Sequence, residues 1–231
     1  MQLRRMAMGL AVALVLMAGS AFATPVYNLL NLVQNNSSFT HGDKTFSNFE
    51  ANLVIWGNGS AVPADLSGIA VIPVMMGGMY GVRLQGGIVA TCTPTNCPMT
   101  WDLLVSWNVS AASPYLIDGV HLEFNGNASN TISFAEVVET VKVGQAFVGS
   151  GFVDNTNLST FIALNGAYSA IRVTKDILLF AHTENEERSA RATISYIDQY
   201  YRQTNVIPEP GTYALIGAGL LGLGLLRRRM S

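Results

Sequence analysis

Asp118-Gly119-Val120-His121-Leu122-Glu123-Phe124 shows in seven residues how this chain is built. Val120, Leu122 and Phe124 alternate with Gly119, His121 and Glu123. Successive side chains of an extended chain point to opposite sides, so this period puts the three apolar residues on a buried face and His121 and Glu123 on a solvated one. A strand that is wet on one side belongs to an antiparallel sheet. Asn125-Gly126-Asn127 follows at once and reads as a turn.

The same grammar continues in both directions. Residues 26–33, 46–56, 69–76, 79–84, 101–109, 116–124, 131–143, 161–164, 168–173, 177–181 and 190–201 are rich in β-branched and aromatic residues and read as strands. Gly57-Asn58-Gly59, Gly77-Gly78, Gly86-Gly87, Gly149-Ser150-Gly151 and Asn165-Gly166 punctuate them as turns. No convincing amphipathic helix stands out. Residues 133–142 come nearest, and Val137, Val138 and Val141 favour the strand there. The expected body, residues 24–205, is all-β: a single antiparallel β-sandwich, jelly-roll-like.

Two apolar segments flank it. Residues 1–23 read as a secretory signal peptide, with Arg4 and Arg5 before an apolar run and Ala21-Phe22-Ala23 as the cleavage site, so the mature chain is expected to start at Thr24. The chain has 13 Lys and Arg and 15 Asp and Glu. Arg4, Arg5, Arg227, Arg228 and Arg229 lie in the terminal segments and every acid lies in residues 24–211, which leaves 8 basic against 15 acidic residues there, a net charge of −7. An acidic body lacks the phosphate-binding surface of a nucleic-acid partner and is compatible with cation binding.

Residues of chemical interest are few. Cys92 and Cys97 are the only cysteines, and at this spacing in an exported chain they are expected to form a disulfide around a Pro-containing loop. His41, His121 and His182 each stand alone, without the spacing of a metal-binding pair, and no Gly-x-Ser-x-Gly elbow positions a nucleophile. No catalytic residue and no resident metal are assigned. Asp154-Asn155-Thr156-Asn157 and Glu184-Asn185-Glu186-Glu187 are oxygen-rich loops, either solvated turns or weak Ca²⁺ sites. Trp56, Trp101 and Trp107 are either buried core or a carbohydrate-stacking platform, and Trp101 and Trp107, six apart, share one face of a strand.

The C-terminal segment is the most specific signal. Pro208-Glu209-Pro210 is an extended, reachable stretch in which two prolines forbid regular pairing. Residues 212–226, Thr-Tyr-Ala-Leu-Ile-Gly-Ala-Gly-Leu-Leu-Gly-Leu-Gly-Leu-Leu, carry no charge. As a helix this segment spans about 22 Å, short of a hydrocarbon core of about 30 Å. It is apolar all round, and its glycines, costly in a water-exposed helix, are common in membrane helices. Arg227, Arg228 and Arg229 end it, the pattern that keeps one end in the cytoplasm. A short C-terminal transmembrane helix is therefore expected.

This order of Pro-Glu-Pro, Gly- and Leu-rich helix and arginine cluster resembles the PEP-CTERM sorting signal, over residues 206–231. The resemblance implies recognition by exosortase, an integral-membrane protease and transpeptidase, and cleavage near Pro208, Glu209 and Pro210. It implies a precursor anchored in the inner membrane of a Gram-negative bacterium and a product at the cell surface or in the extracellular matrix. Residues 42–49 (Gly-Asp-Lys-Thr-Phe-Ser-Asn-Phe), 101–107 and 194–200 also resemble the ectodomain of one group of PEP-CTERM proteins, which has no assigned catalytic activity. The expectation is a non-enzymatic surface or matrix protein. A lectin-like module reading extracellular polysaccharide is the alternative, and a secreted hydrolase is a more distant one.

Overall fold

The computed structural model describes residues 24–183 and 188–205. The expected signal peptide with Ala21 and Ala23, the loop Glu184-Asn185-Glu186-Glu187 and the whole C-terminal segment from residue 206 lie outside the described residues. Among the described residues thirteen strands are formed: β1 (Tyr27–Asn28), β2 (Phe39–His41), β3 (Lys44–Gly57), β4 (Ser60–Val62), β5 (Ala70–Met76), β6 (Met79–Cys92), β7 (Met99–Ala111), β8 (Tyr115–Ala128), β9 (Phe134–Val143), β10 (Ala146–Asp154), β11 (Ser159–Tyr168), β12 (Ala170–Ala181) and β13 (Ala190–Asn205). One short helix, α1 (Leu29–Gln34), precedes β2.

Every strand pair is antiparallel, and the pairing defines a jelly roll. β6 pairs β13, β7 pairs β12, β8 pairs β11 and β9 pairs β10. The chain therefore runs out along β6 to β9 and returns beside itself along β10 to β13, a long double ribbon folded over into two sheets. One sheet has the order β1-β5-β6-β13-β8-β11, with β4 also on β6; the other has the order β10-β9-β12-β7-β3-β2. The expected all-β antiparallel sandwich of jelly-roll type is the fold observed.

Alternation builds the core between the sheets. On β7, Trp101, Leu103, Val105, Trp107 and Val109 all face inward and are fully buried, and on β8 Val120, Leu122 and Phe124 do the same. The founding stretch thus holds, but β8 does not stop at Asn125-Gly126-Asn127; it continues to Ala128. Gly86-Gly87 likewise lies inside β6. Both sit where the register shifts between Ile194 and Tyr196 of β13. Gly87 has φ +57°, which a bulge demands as much as a turn does. At Gly126 a Cβ would lie 2.0 Å from the Phe124 ring, so only glycine lets that ring fold back. Gly149-Ser150-Gly151 and Asn165-Gly166, also expected as turns, lie within β10 and β11 near register shifts. Gly77-Gly78 is a true turn, between β5 and β6.

Residues 26–33 depart from expectation. Only Tyr27–Asn28 is strand; the Asn28 side chain then accepts a bond from the Asn31 amide at 3.3 Å and caps α1. Leu29 and Leu32, three apart, are the residues it buries. Of the stretches 168–173 and 177–181, Tyr168 ends β11, and the remainder from Ala170 merges into the single strand β12.

Candidate functional site

The three tryptophans do not form a platform. Trp101 and Trp107 share the inner face of β7, and each indole donates a hydrogen bond there, to the Pro63 carbonyl at 2.9 Å and to the Tyr201 hydroxyl at 2.9 Å. Trp56, near the end of β3, is 59% exposed on the opposite, outer face. The histidines lie on separate segments. His41 on β2 meets the edge of Tyr80, His121 on β8 lies 3.1 Å from Glu123, and His182, beyond β12, lies 2.8 Å from the Thr183 carbonyl. Among the described residues, no group of three or more His, Cys, Asp or Glu is placed to hold a metal ion. The Asp154 loop is an Asx turn: Asp154 Oδ1 accepts bonds from the Thr156 amide and hydroxyl and from the Asn157 amide, all at 2.7 Å. These bonds, the Thr156 hydroxyl first, hold the Asp154 carboxyl below its usual range. Cys92, at the end of β6, is bonded to Cys97 with a Cα–Cα distance of 5.0 Å.

Two parts of the body gather chemistry. The first is the outer face of the six-stranded sheet. Register aligns Val54, Asp102, Leu178, Glu136 and Asp154 in one row across β3, β7, β12, β9 and β10. The next row is Asn52, Leu104, Asp176, Val138 and Phe152. Leu104 and Phe152 are about half exposed, at 48% and 54%. Burial among these apolar neighbours, then the charge of Asp176 and a hydrogen bond to it, pushes the Asp102 carboxyl up; Glu136 is pushed up by burial, then by Asp176 and Asp154. One end of the face is different. There Arg172 pairs with Glu50 at 2.7 Å and donates to Ser106 at 2.6 Å, beside a shallow depression of about 370 Å³ lined by Asn52, Leu104 and Thr174.

The second part lies between the sheets. Lys175 of β12 and Glu139 of β9 are directly opposite in register, both at inward positions, and both are buried. The Lys175 ammonium donates to Glu139 Oε2. From the other sheet, Gln199 Nε2 donates to Glu139 Oε1 at 2.6 Å. Tyr201, two residues on and also inward, receives the Trp107 bond, and Lys175 Nζ lies 5.8 Å from the Trp107 ring centre. Burial dominates the titration here, raising Glu139 and lowering Lys175 against their mutual attraction, and raising Tyr201. Sequence reading missed this cluster. The signal was the alternation Ile171, Val173, Lys175, Ile177, Leu179, which sets the lysine on the apolar side of a continuous strand.

β13 connects the body to the C-terminal segment. It pairs with both β6 and β8, with register shifts at Ile194/Tyr196 and Arg202/Gln203, and its described residues run to the pair Asn205–Tyr115. Residues 206–229 match the family described as the PEP-CTERM protein-sorting motif. No curated protein matches the sequence. Among solved structures, TmCBM61 in complex with beta-1,4-galactotriose is similar at 12% identity and a TM-score of 0.29, covering 65% of this chain and 88% of that chain. A likeness at that level carries no argument about a ligand here. Pro208, Glu209, Pro210, Arg227, Arg228 and Arg229 all fall inside the matched segment, and the chain is an exported protein bearing a PEP-CTERM sorting motif, the mark of exosortase substrates.

Proposed function

We propose that this is a surface or matrix protein whose jelly-roll body is non-catalytic and is freed from a membrane-anchored precursor. Residues 1–23 direct export. Residues 212–226 hold the precursor in the inner membrane with Arg227, Arg228 and Arg229 on the cytoplasmic side. An exosortase-type enzyme cuts near Pro208-Glu209-Pro210. The observation that carries this reading is the sorting motif matched at residues 206–229, which follows all thirteen described strands in the chain, so a cut near Pro208 leaves each of those strands in the body. Replacing Pro208, Glu209 and Pro210 by alanine should leave the anchored form uncleaved. Release of that variant at the normal rate would overturn the proposal.

A second reading is favoured by one surface. The outer face of the six-stranded sheet presents Trp56, Phe152 and Leu104 beside Asp102, Asp176 and Glu136. Apolar planes next to carboxylates suit sugar rings, which stack through C–H faces and donate hydroxyls to acids. On this reading the body holds extracellular polysaccharide.

A further inference from the structure

The buried cluster places a primary amine, a carboxyl group and a primary amide together where water does not reach. The two oxygens of the single Glu139 carboxyl are bonded to Lys175 Nζ and to Gln199 Nε2, so the carboxyl bridges amine and amide. Lys175 is 1% exposed, and Glu139 and Gln199 are fully buried. Gln199 is held from its nitrogen side alone, because its Oε1 has no hydrogen-bond partner. We propose that Lys175 and Gln199 become joined by an intramolecular isopeptide bond, with Glu139 carrying the protons.

The chemistry balances without any outside reagent. The neutral Lys175 amine attacks Gln199 Cδ and the bond from Cδ to Nε2 breaks. Glu139 takes a proton from Nζ through one oxygen and gives a proton to Nε2 through the other. Ammonia leaves, an amide replaces an amide, nothing is oxidised or reduced, and Glu139 ends as it began. The site favours each requirement. Burial lowers Lys175 and raises Glu139, which is the direction that makes the amine nucleophilic and the carboxyl an acid. A buried ion pair carries a large desolvation cost, and the product replaces one of its charges with a neutral amide. The shared carboxyl holds the amine and the amide beside each other, and well-oriented intramolecular reactions reach effective molarities of about 10⁵ M or more.

The bond would tie β12 in one sheet to β13 in the other. Because β13 leads directly into the C-terminal segment, a pull transmitted from a membrane anchor enters the body along this strand, and the cross-link resists its peeling away. Lys44 offers an internal contrast. It is also buried and reaches Gln203 of β13, but it bonds the amide oxygen rather than sharing a carboxylate with the amide nitrogen, and its acid, Asp43, is its sequence neighbour and 13% exposed. No bond is expected there.

Intact-mass analysis of the full folded chain, followed by peptide mapping, tests this. The expected mass is that of the disulfide-bonded sequence less one ammonia, with a branched peptide joining Lys175 to Gln199 and no tryptic cleavage after Lys175. Glu139→Gln and Gln199→Leu should each abolish the branched peptide; the wild-type measurement stands alone should either variant fail to fold. A full-length mass with Lys175 and Gln199 in linear peptides would overturn the proposal. So would an ammonia loss mapped to a succinimide at Asn58, Asn125 or Asn165, or a loss of water linking Lys175 to Glu139.

Discussion

The two faces of the six-stranded sheet are made by the same strands and hold opposite chemistry. Inside, Trp107 and the Lys175–Glu139 pair are buried, and their polar atoms reach across to Tyr201 and Gln199. Outside, Trp56, Asp102 and the Arg172–Glu50 pair stand in or near water. Each face has an ion pair and an indole, so composition does not separate them. What separates them is the partner: water outside, a single fixed side chain inside. An interior ion pair broken on one side leaves a charge without compensation, whereas an exterior one is simply solvated.

Removing one cation from each face should have very unequal effects. Lys175→Met leaves Glu139 without its partner in the core, takes away the proposed link to Gln199 as well, and should cost at least about 3–5 kcal/mol. Arg172→Ala removes the exposed pair with Glu50 and should cost no more than about 1 kcal/mol. Denaturant unfolding measures both, and equal losses would mean that the interior cluster is not the anchor described. The tryptophans give the next contrast. Trp107→Ala should cost about 3–5 kcal/mol by cavity formation and by orphaning the Tyr201 hydroxyl. Trp56→Ala should change stability by no more than about 0.5 kcal/mol; on the polysaccharide reading it should also abolish glycan-array binding, and undiminished binding would remove Trp56 from that surface.

The smallest effect is in pH. Asp102 is raised above its ordinary 3.8, so the folded state binds its proton more tightly than the unfolded chain does. Its contribution is therefore favourable at low pH and declines as pH rises through a window that opens at 3.8. Asp154 is lowered from 3.8, so its contribution is present above that value and fades as pH falls through the folded value. Asp102→Asn should raise the Tm at neutral pH and flatten the decline, while Asp154→Asn should lower it. Matching pH profiles for the two variants would contradict the separation.

Much of this was legible in the sequence for one physical reason. Period-two alternation reports which side of a strand is buried, and it placed Trp101 with Trp107 and Val120 with Leu122 and Phe124. It does not say where a strand ends. Gly86-Gly87 and Asn125-Gly126-Asn127 have the composition of turns because a bulge and a turn ask the same backbone freedom of glycine, and only the pairing with β13 tells them apart. Asn28 hid a helix start, since capping is decided by the next three residues and not by the apolar run. The interior cluster stayed hidden because a lysine between apolar residues breaks the expected pattern until its partner, Glu139 on another strand, is known. The sorting motif was the reverse case: local, tripartite and readable without any fold.

On the proposed processing, the sandwich and the C-terminal segment part company. Intact masses of the protein from membrane and from medium, taken in its native host, decide whether they do. The expected result is a released body running from Thr24 to near Pro208, with an anchored precursor in the membrane fraction. A released chain that still ends at Ser231 would contradict it.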